Sequence, residues 1–240
     1  MSRFPEQRTF PVAPNIEQST VAVLFDIDGT LVDSNYLHVL AWVQAFRDVG
    51  HPVTASRVHR CIGLGTPFLL AHLLGERDAE AVGARATEAH RVRYAGTYDQ
   101  LRPLQGAQSL VRAVARFATP VLSTSASQAE LDVLRRVLDL DDVIEVVTSA
   151  ADVDAAKPAP DVVSVALERA GVDAAHAMFV GDTVWDVQAA RRAGVGCVAV
   201  LTGGISEWEL VDAGALAVYE GPAALLEDLV ASPLGTLIVG

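Results

Sequence analysis

The chain has 240 residues, 51% of them apolar, a net charge of -12 and two cysteines. That length suits one large domain or a core domain carrying a smaller insertion, with apolar residues enough for a sizeable core. The acidic balance argues against a nucleic-acid partner, because phosphate backbones need basic patches, and it obliges any anionic substrate to find local positive charge or a metal. No apolar run approaches the roughly 18 residues expected of a membrane span. The opening MSRFPEQRTFPVAPNIEQST is polar and proline-broken, without the continuous apolar stretch of a secretory signal. Cys61 and Cys197 lack CxxC spacing, so neither a disulfide framework nor a zinc site is expected. The expectation is a cytoplasmic enzyme with no membrane or nucleic-acid partner.

Residues 1–19 read as an N-terminal extension. Val21 to Phe25 form a short, β-branched apolar run that reads as a buried strand. From about Ser34 to Leu101 the period becomes helical, as in YLHVLAWVQAF and TPFLLAHLLG. From Pro103 onward the pattern alternates. AQSLVRAVARF is helical and TPVLST strand-like; AELDVLRRVLDL is helical and VIEVVTS strand-like. PDVVSVALERAG, HAMFVGD, DVQAARRAG and GCVAVLT continue the alternation in the same order. This predicts an α/β fold, a Rossmann-like parallel sheet with helices on both faces. A helical insertion of about 70 residues follows the first strand. The expected division is a core of residues 20–33 and 103–240 and a helical domain of residues 34–102.

Open sheets of this kind bind ligands outside the carboxyl ends of their strands. The first strand ends in Asp26, Ile27, Asp28, Gly29 and Thr30, and the second in Ser123, Thr124 and Ser125, followed by Ala126 and Ser127. VIEVVTS leads to Lys157, and AMFVGD ends in Asp182, with Asp186 four residues on. A lone Asp-x-Asp-Gly is more often an Asx turn than a nucleophile; the other three strand ends reverse that reading. Asp26 and Asp28 project to one side of an extended segment, with Ile27 turned away. One carboxylate can attack phosphorus while the other manages the proton of the leaving oxygen. Gly29 permits a sharp turn whose amides face an anion. Asp26 and Asp182 make an oxygen-rich pair of the sort Mg²⁺ prefers. Ser125, with Thr124 as the other candidate, supplies a hydroxyl to the phosphoryl oxygens, and Lys157 neutralises charge in the transition state. Lys157 is the single lysine in a chain whose other 17 basic residues are arginine.

The four stretches DIDGTLVDS, LSTSAS, KPAP and VGDTVWD resemble, in order, the four motifs of the haloacid dehalogenase superfamily. The resemblance covers residues 20 to 220 and is to the phosphoglycolate phosphatase-like branch with a helical cap of C1 type. It implies a Mg²⁺-dependent phosphatase acting on a small phosphorylated metabolite through an aspartyl-phosphate. Asp26 is the implied nucleophile and Asp28 the acid/base. Asp26, Asp182 and the Asp28 backbone carbonyl are implied to face the metal, with Asp186 in support. Gly29, Thr30, Ser125, Ala126 and Lys157 are implied to hold the phosphate. The cap is expected to close over the strand ends with hinges near Asp33–Ser34 and Arg102–Pro103. Arg60 and the Gly63–Gly65 turn are its candidates for substrate contact, although Arg60 reads equally well as a solvated helix charge.

Departures from the family's other patterns narrow the activity. Dehalogenating members lack the second aspartate, present here as Asp28. Phosphonate-cleaving members need a cap lysine, and this cap has none. Sugar phosphomutases carry a pattern similar to GxSR, where this chain has Gly65 and Thr66 in place of its serine and arginine. A sugar phosphomutase is nevertheless the enzymatic alternative. A phospho-accepting receiver-like module is the alternative of another class, and the helical insertion argues against it. Asp186 also reads as a plain first-turn helix acid. The six histidines show no metal-ligand spacing and read as surface or packing residues, and Trp42 and Phe46 as cap core.

Overall fold

β1, Ala22–Phe25, is apolar at every position because both of its faces are covered. Val23 and Phe25 enter one buried cluster, Ala22 and Leu24 the other, as strand alternation requires. The computed structural model describes residues 21–152 and 156–239, and the extension expected over residues 1–19 lies outside the described residues. Four helices follow β1: α1 (Asn35–Asp48), α2 (Ala55–His59), α3 (Thr66–Leu74) and α4 (Glu76–Ala95). The chain then alternates through α5 (Ala107–Val114), β2 (Thr119–Ser123), α6 (Gln128–Leu138), β3 (Val146–Thr148), α7 (Asp161–Ala170) and β4 (Ala177–Gly181). It ends with α8 (Val184–Arg192), β5 (Gly196–Val200), α9 (Glu207–Ala213), β6 (Ala217–Tyr219), α10 (Pro222–Glu227) and α11 (Pro233–Val239).

The six strands form one parallel sheet in the order β3-β2-β1-β4-β5-β6. The chain runs outward to β3 on one side of β1 and outward to β6 on the other, so the crevice for a ligand lies at the ends of β1 and β4. In register, Phe25 stands beside Leu122 and Val180, which sets the residues after each strand on a common rim. β4 repeats the alternation of β1, with Met178 and Val180 on one face and Ala177 and Phe179 on the other. Each fully buried large side chain of these strands contributes about 1.5–3 kcal/mol; that burial holds the strand ends in place.

α1 to α4 pack around a third cluster that includes Trp42, Phe46, Val58, Leu69 and Ala86. Trp42 and Phe46 stack at 5.3 Å inside it. Two differences from the sequence pattern have local causes. VIEVVTS yields only the three-residue β3, because the Val143 and Ile144 amides bond back to Leu140 O in the turn after α6. β6 is a half-buried edge strand of three residues, too short for its alternation to register. Among the described residues no helix is long and apolar enough to cross a membrane.

Candidate active site

Asp26 stands directly beyond β1, its amide donating to Val180 O at 2.9 Å. Asp182 stands directly beyond β4. α8 starts two residues later with a capping box in which Thr183 caps the Asp186 amide and the Asp186 carboxylate accepts from the Thr183 amide and hydroxyl. That box turns Asp186 back toward the strand ends, so the helix acid and the site residue are one and the same. Lys157 arrives on the segment between β3 and α7, with Nζ 2.5 Å from Asp26 Oδ1, 2.8 Å from Asp186 Oδ1 and 5.3 Å above the Phe179 ring. Asp26, Asp182 and Asp186 each offer a carboxylate oxygen within 4.8 Å of the others.

The electrostatics of this cluster are unbalanced. Three buried carboxylates face one buried ammonium. Burial, and then the charge of Asp186 and Asp28, push Asp26 up to about 7 in spite of Lys157. Burial, Asp186 and Asp26 push Asp182 well above the carboxylate range. Lys157 is raised in turn, because Asp186 and Asp26 outweigh the burial that would lower it. An all-oxygen set with a deficit of positive charge fits a hard divalent cation, which would supply the missing charge.

Thr30 and Gly29 complete the rim. Thr30 Oγ1 donates to Asp182 Oδ1 at 2.9 Å. Gly29 has φ +76°, and a Cβ there would lie 2.4 Å from Asp182 Oδ2, so the turn admits only glycine. The Asp28 carboxylate leaves the acidic cluster and meets the Ser34 hydroxyl at 2.6 Å and His38 Nε2 at 3.4 Å. Burial would raise Asp28, but the hydrogen bond and charge of His38 hold it below its ordinary value. The same contact holds the His38 ring above its own, against burial. After β2, the Thr124 hydroxyl accepts the Ala126 amide at 3.1 Å, and Ser127 caps α6. Half-buried Ser125 is the hydroxyl left over at this strand end.

The cap candidates are placed differently from one another. Arg60 pairs with Glu209, the capping-box acid of α9, so its guanidinium ties cap to core at the surface. Gly63, φ +90°, packs where a Cβ would lie 2.7 Å from Thr183 Oγ1, and the Gly65 amide donates to Lys157 O at 3.2 Å. His59 Nε2 meets Gly203 O at 2.8 Å. The expectation that the histidines are surface or packing residues is corrected at His38 and His59, both engaged at the rim. Asn35, which donates to Asp182 Oδ2 at 2.7 Å, was not singled out by sequence either. A signal existed: Asn35, His38 and Trp42 fall at i, i+3 and i+7, so the polar pair continues the buried face of α1.

Known proteins share this arrangement of elements. The family described as haloacid dehalogenase-like hydrolase matches residues 23–200. A phosphoglycolate phosphatase of Rhodospirillum rubrum is 32% identical over 216 residues, covering 85% of this chain and 88% of that one. The validoxylamine A 7'-phosphate phosphatase of Streptomyces hygroscopicus is 28% identical over 182 residues, covering 75% of this chain and 84% of that one. The crystal structure of a hydrolase from Pseudomonas syringae superposes with a TM-score of 0.84 at 33% identity, covering 88% of this chain and 98% of that one. With the strand-end aspartates, the single lysine and the parallel sheet in view, the chain belongs to the haloacid dehalogenase-like hydrolase family, in its phosphoglycolate phosphatase-like branch.

Proposed function

We propose that the chain is a Mg²⁺-dependent phosphatase that hydrolyses a small phosphate monoester through an aspartyl-phosphate on Asp26. The observation that carries this reading is the Asp26 carboxylate at the end of β1, 2.5 Å from the Lys157 ammonium and grouped with Asp182 and Asp186. The names of the relatives, two of them phosphatases of small phosphorylated compounds, agree with it. Asp26, Asp182 and the Asp28 backbone carbonyl would hold the cation, with Asp186 beside them. When bound, it supplies the positive charge that lets a phosphoryl group approach three carboxylates.

The chain's own residues account for the rest. Lys157 opposes the rise that burial imposes on Asp26 and offers its ammonium to the phosphoryl oxygens as charge develops. Asp26 attacks phosphorus, and the bond to the ester oxygen breaks. The Asp28–His38 pair shares one proton, which Asp28 passes to that oxygen; Asp28 then takes one from the water that cleaves the acyl-phosphate, and the pair is restored. Ser34 and His38 both hold Asp28 Oδ1, which leaves Oδ2 for the transfer. Gly29, Thr30, Ser125 and Ala126 line the rim on which the phosphate sits. Asp26 is 5% and Lys157 1% exposed, so the arrangement is a shut one and the cap helices must part to admit an ester.

Asp26→Asn tests the reading. It should abolish Mg²⁺-dependent release of phosphate from p-nitrophenyl phosphate while the far-ultraviolet circular dichroism stays that of wild type. Hydrolysis near the wild-type rate would rule out the covalent route. A panel of phosphorylated metabolites assayed for free phosphate then finds the substrate. Isomerised sugar phosphate without free phosphate would mark a mutase, and a persistent acyl-phosphate a signalling module.

A further inference from the structure

α1 begins with Asn35, a residue 2% exposed whose side chain reaches out of the cap to the acidic cluster. Its Nδ2 donates to Asp182 Oδ2 at 2.7 Å, while Thr30 Oγ1 donates to Asp182 Oδ1 at 2.9 Å. Asp182 therefore has one partner on each oxygen, one from the core and one from the cap. The surroundings are cleared for this contact. A Cβ on Gly29 would lie 2.2 Å from Asn35 Nδ2, and one on Gly203 would lie 1.8 Å from Asp182 Oδ2. The chain is glycine at both positions.

The other end of the amide is unaccounted for. Asn35 Oδ1 is buried with no hydrogen-bond partner among the described residues. Turning the amide over would set its carbonyl oxygen against the Asp182 carboxylate, so the orientation is fixed by charge. An orphaned acceptor of this kind is destabilising, and an alanine at the first helical position would avoid it. The cost is offset if a donor arrives with the bound state.

We propose that Asn35 is a positioning residue for the divalent-cation site. Its amide hydrogen fixes the Asp182 carboxylate, and its Oδ1 accepts a hydrogen bond from a water in the cation's shell. This rests on the reading of Asp26, Asp182 and Asp186 as a cation site. The leaving group of the substrate plays no part in it, so Asn35 acts through affinity for the cation.

The test is calorimetric titration of Mg²⁺ and Mn²⁺ into the full chain without substrate, for wild type, Asn35→Ala and Asn35→Ser. The serine hydroxyl is too short to span the gap, so both variants should bind about 10–100-fold more weakly, the range for lost outer partners of metal ligands. In phosphate release, the half-saturating Mg²⁺ concentration should rise by the same factor. Melting of each variant without cation establishes that it is folded. Wild-type cation affinity in both variants overturns the role of Asn35 and leaves the cation site standing. Absence of cation binding by wild type overturns the site and the proposal together.

Discussion

Lys157 is the one cation among three buried carboxylates, and its ammonium touches two of them. Removing one partner of such a group costs about 3–5 kcal/mol, because the charges left behind are neither solvated nor paired. Lys157→Met, which keeps the stem, should lose about that much in urea denaturation at pH 8 and lose phosphate release as well. Asp26 and Asp182 already sit above their ordinary values. A carboxyl raised in the folded state stabilises at low pH and ceases to do so as pH rises through its folded value. The deficit of the variant should therefore widen from pH 5 to pH 8; a deficit independent of pH would mean that the carboxylates do not carry the cost. Lys157 was legible in sequence as a lone lysine at a strand end, and Asp26, Asp182 and Asp186 by the same rule of position. Thr30 as a partner of Asp182 was not, nor Gly203 against it, since those contacts join residues far apart in the chain through side-chain geometry that no local pattern encodes.

Within the cap, α1 and α4 face each other through a stack of rings. His90 lies 4.1 Å from the Trp42 ring, and His38 lies 3.7 Å from the Tyr94 ring. His38 Nδ1 and His90 Nε2 are 3.2 Å apart. Burial, and then the charge of His38, push His90 down to about 2, so it remains neutral and its Nε2 accepts from His38 Nδ1–H. His38 is raised by Asp28 on its other side. The two rings therefore act on stability with opposite signs. Below the ordinary histidine value of about 6.5 the unfolded chain protonates His90 and the folded chain does not, so acid costs about 1.4 kcal/mol per pH unit. Above that value folded His38 still holds a proton that the unfolded chain has lost, and its contribution disappears as pH rises through its folded value. Denaturation in urea from pH 4.5 to 8 should show His90→Gln flattening the acid limb and His38→Gln the alkaline one. An acid limb unchanged in His90→Gln would contradict the buried neutral ring. The helices themselves were readable from their period; the polar content of their shared face was readable only as spacing, and its ring pairing arises from packing.

Across the whole molecule, cap and core meet through apolar and polar contacts, with Ala41 and Tyr94 of α1 and α4 entering the same buried cluster as Val23 and Phe25. Trp185 of α8 packs in turn against the cluster enclosed by α1 to α4. Polar ties include Arg60 with Glu209, Trp185 Nε1 to Arg60 O at 3.2 Å, His59 with Gly203 O, the Gly65 amide with Lys157 O, Asn35 with Asp182 and His38 with Asp28. A site holding Asp26 and Lys157 out of water requires part of this interface to open for an ester to enter. Arg60 and Glu209 side chains are 49% and 26% exposed, so their pair is worth at most about 1 kcal/mol and is screened by salt. Spread over the whole fold that is minor; applied to the balance between open and shut caps it is about fivefold in population. Arg60→Ala should leave the urea midpoint close to wild type and raise the half-saturating ester concentration by up to about fivefold. Salt at 0.5 M should impose much of the same rise on wild type and little more on the variant, because the pair it screens is already gone. Equal salt sensitivity in the two proteins would mean that Arg60 does not hold the cap shut, and would return it to the ordinary helix charge that its sequence context equally allowed.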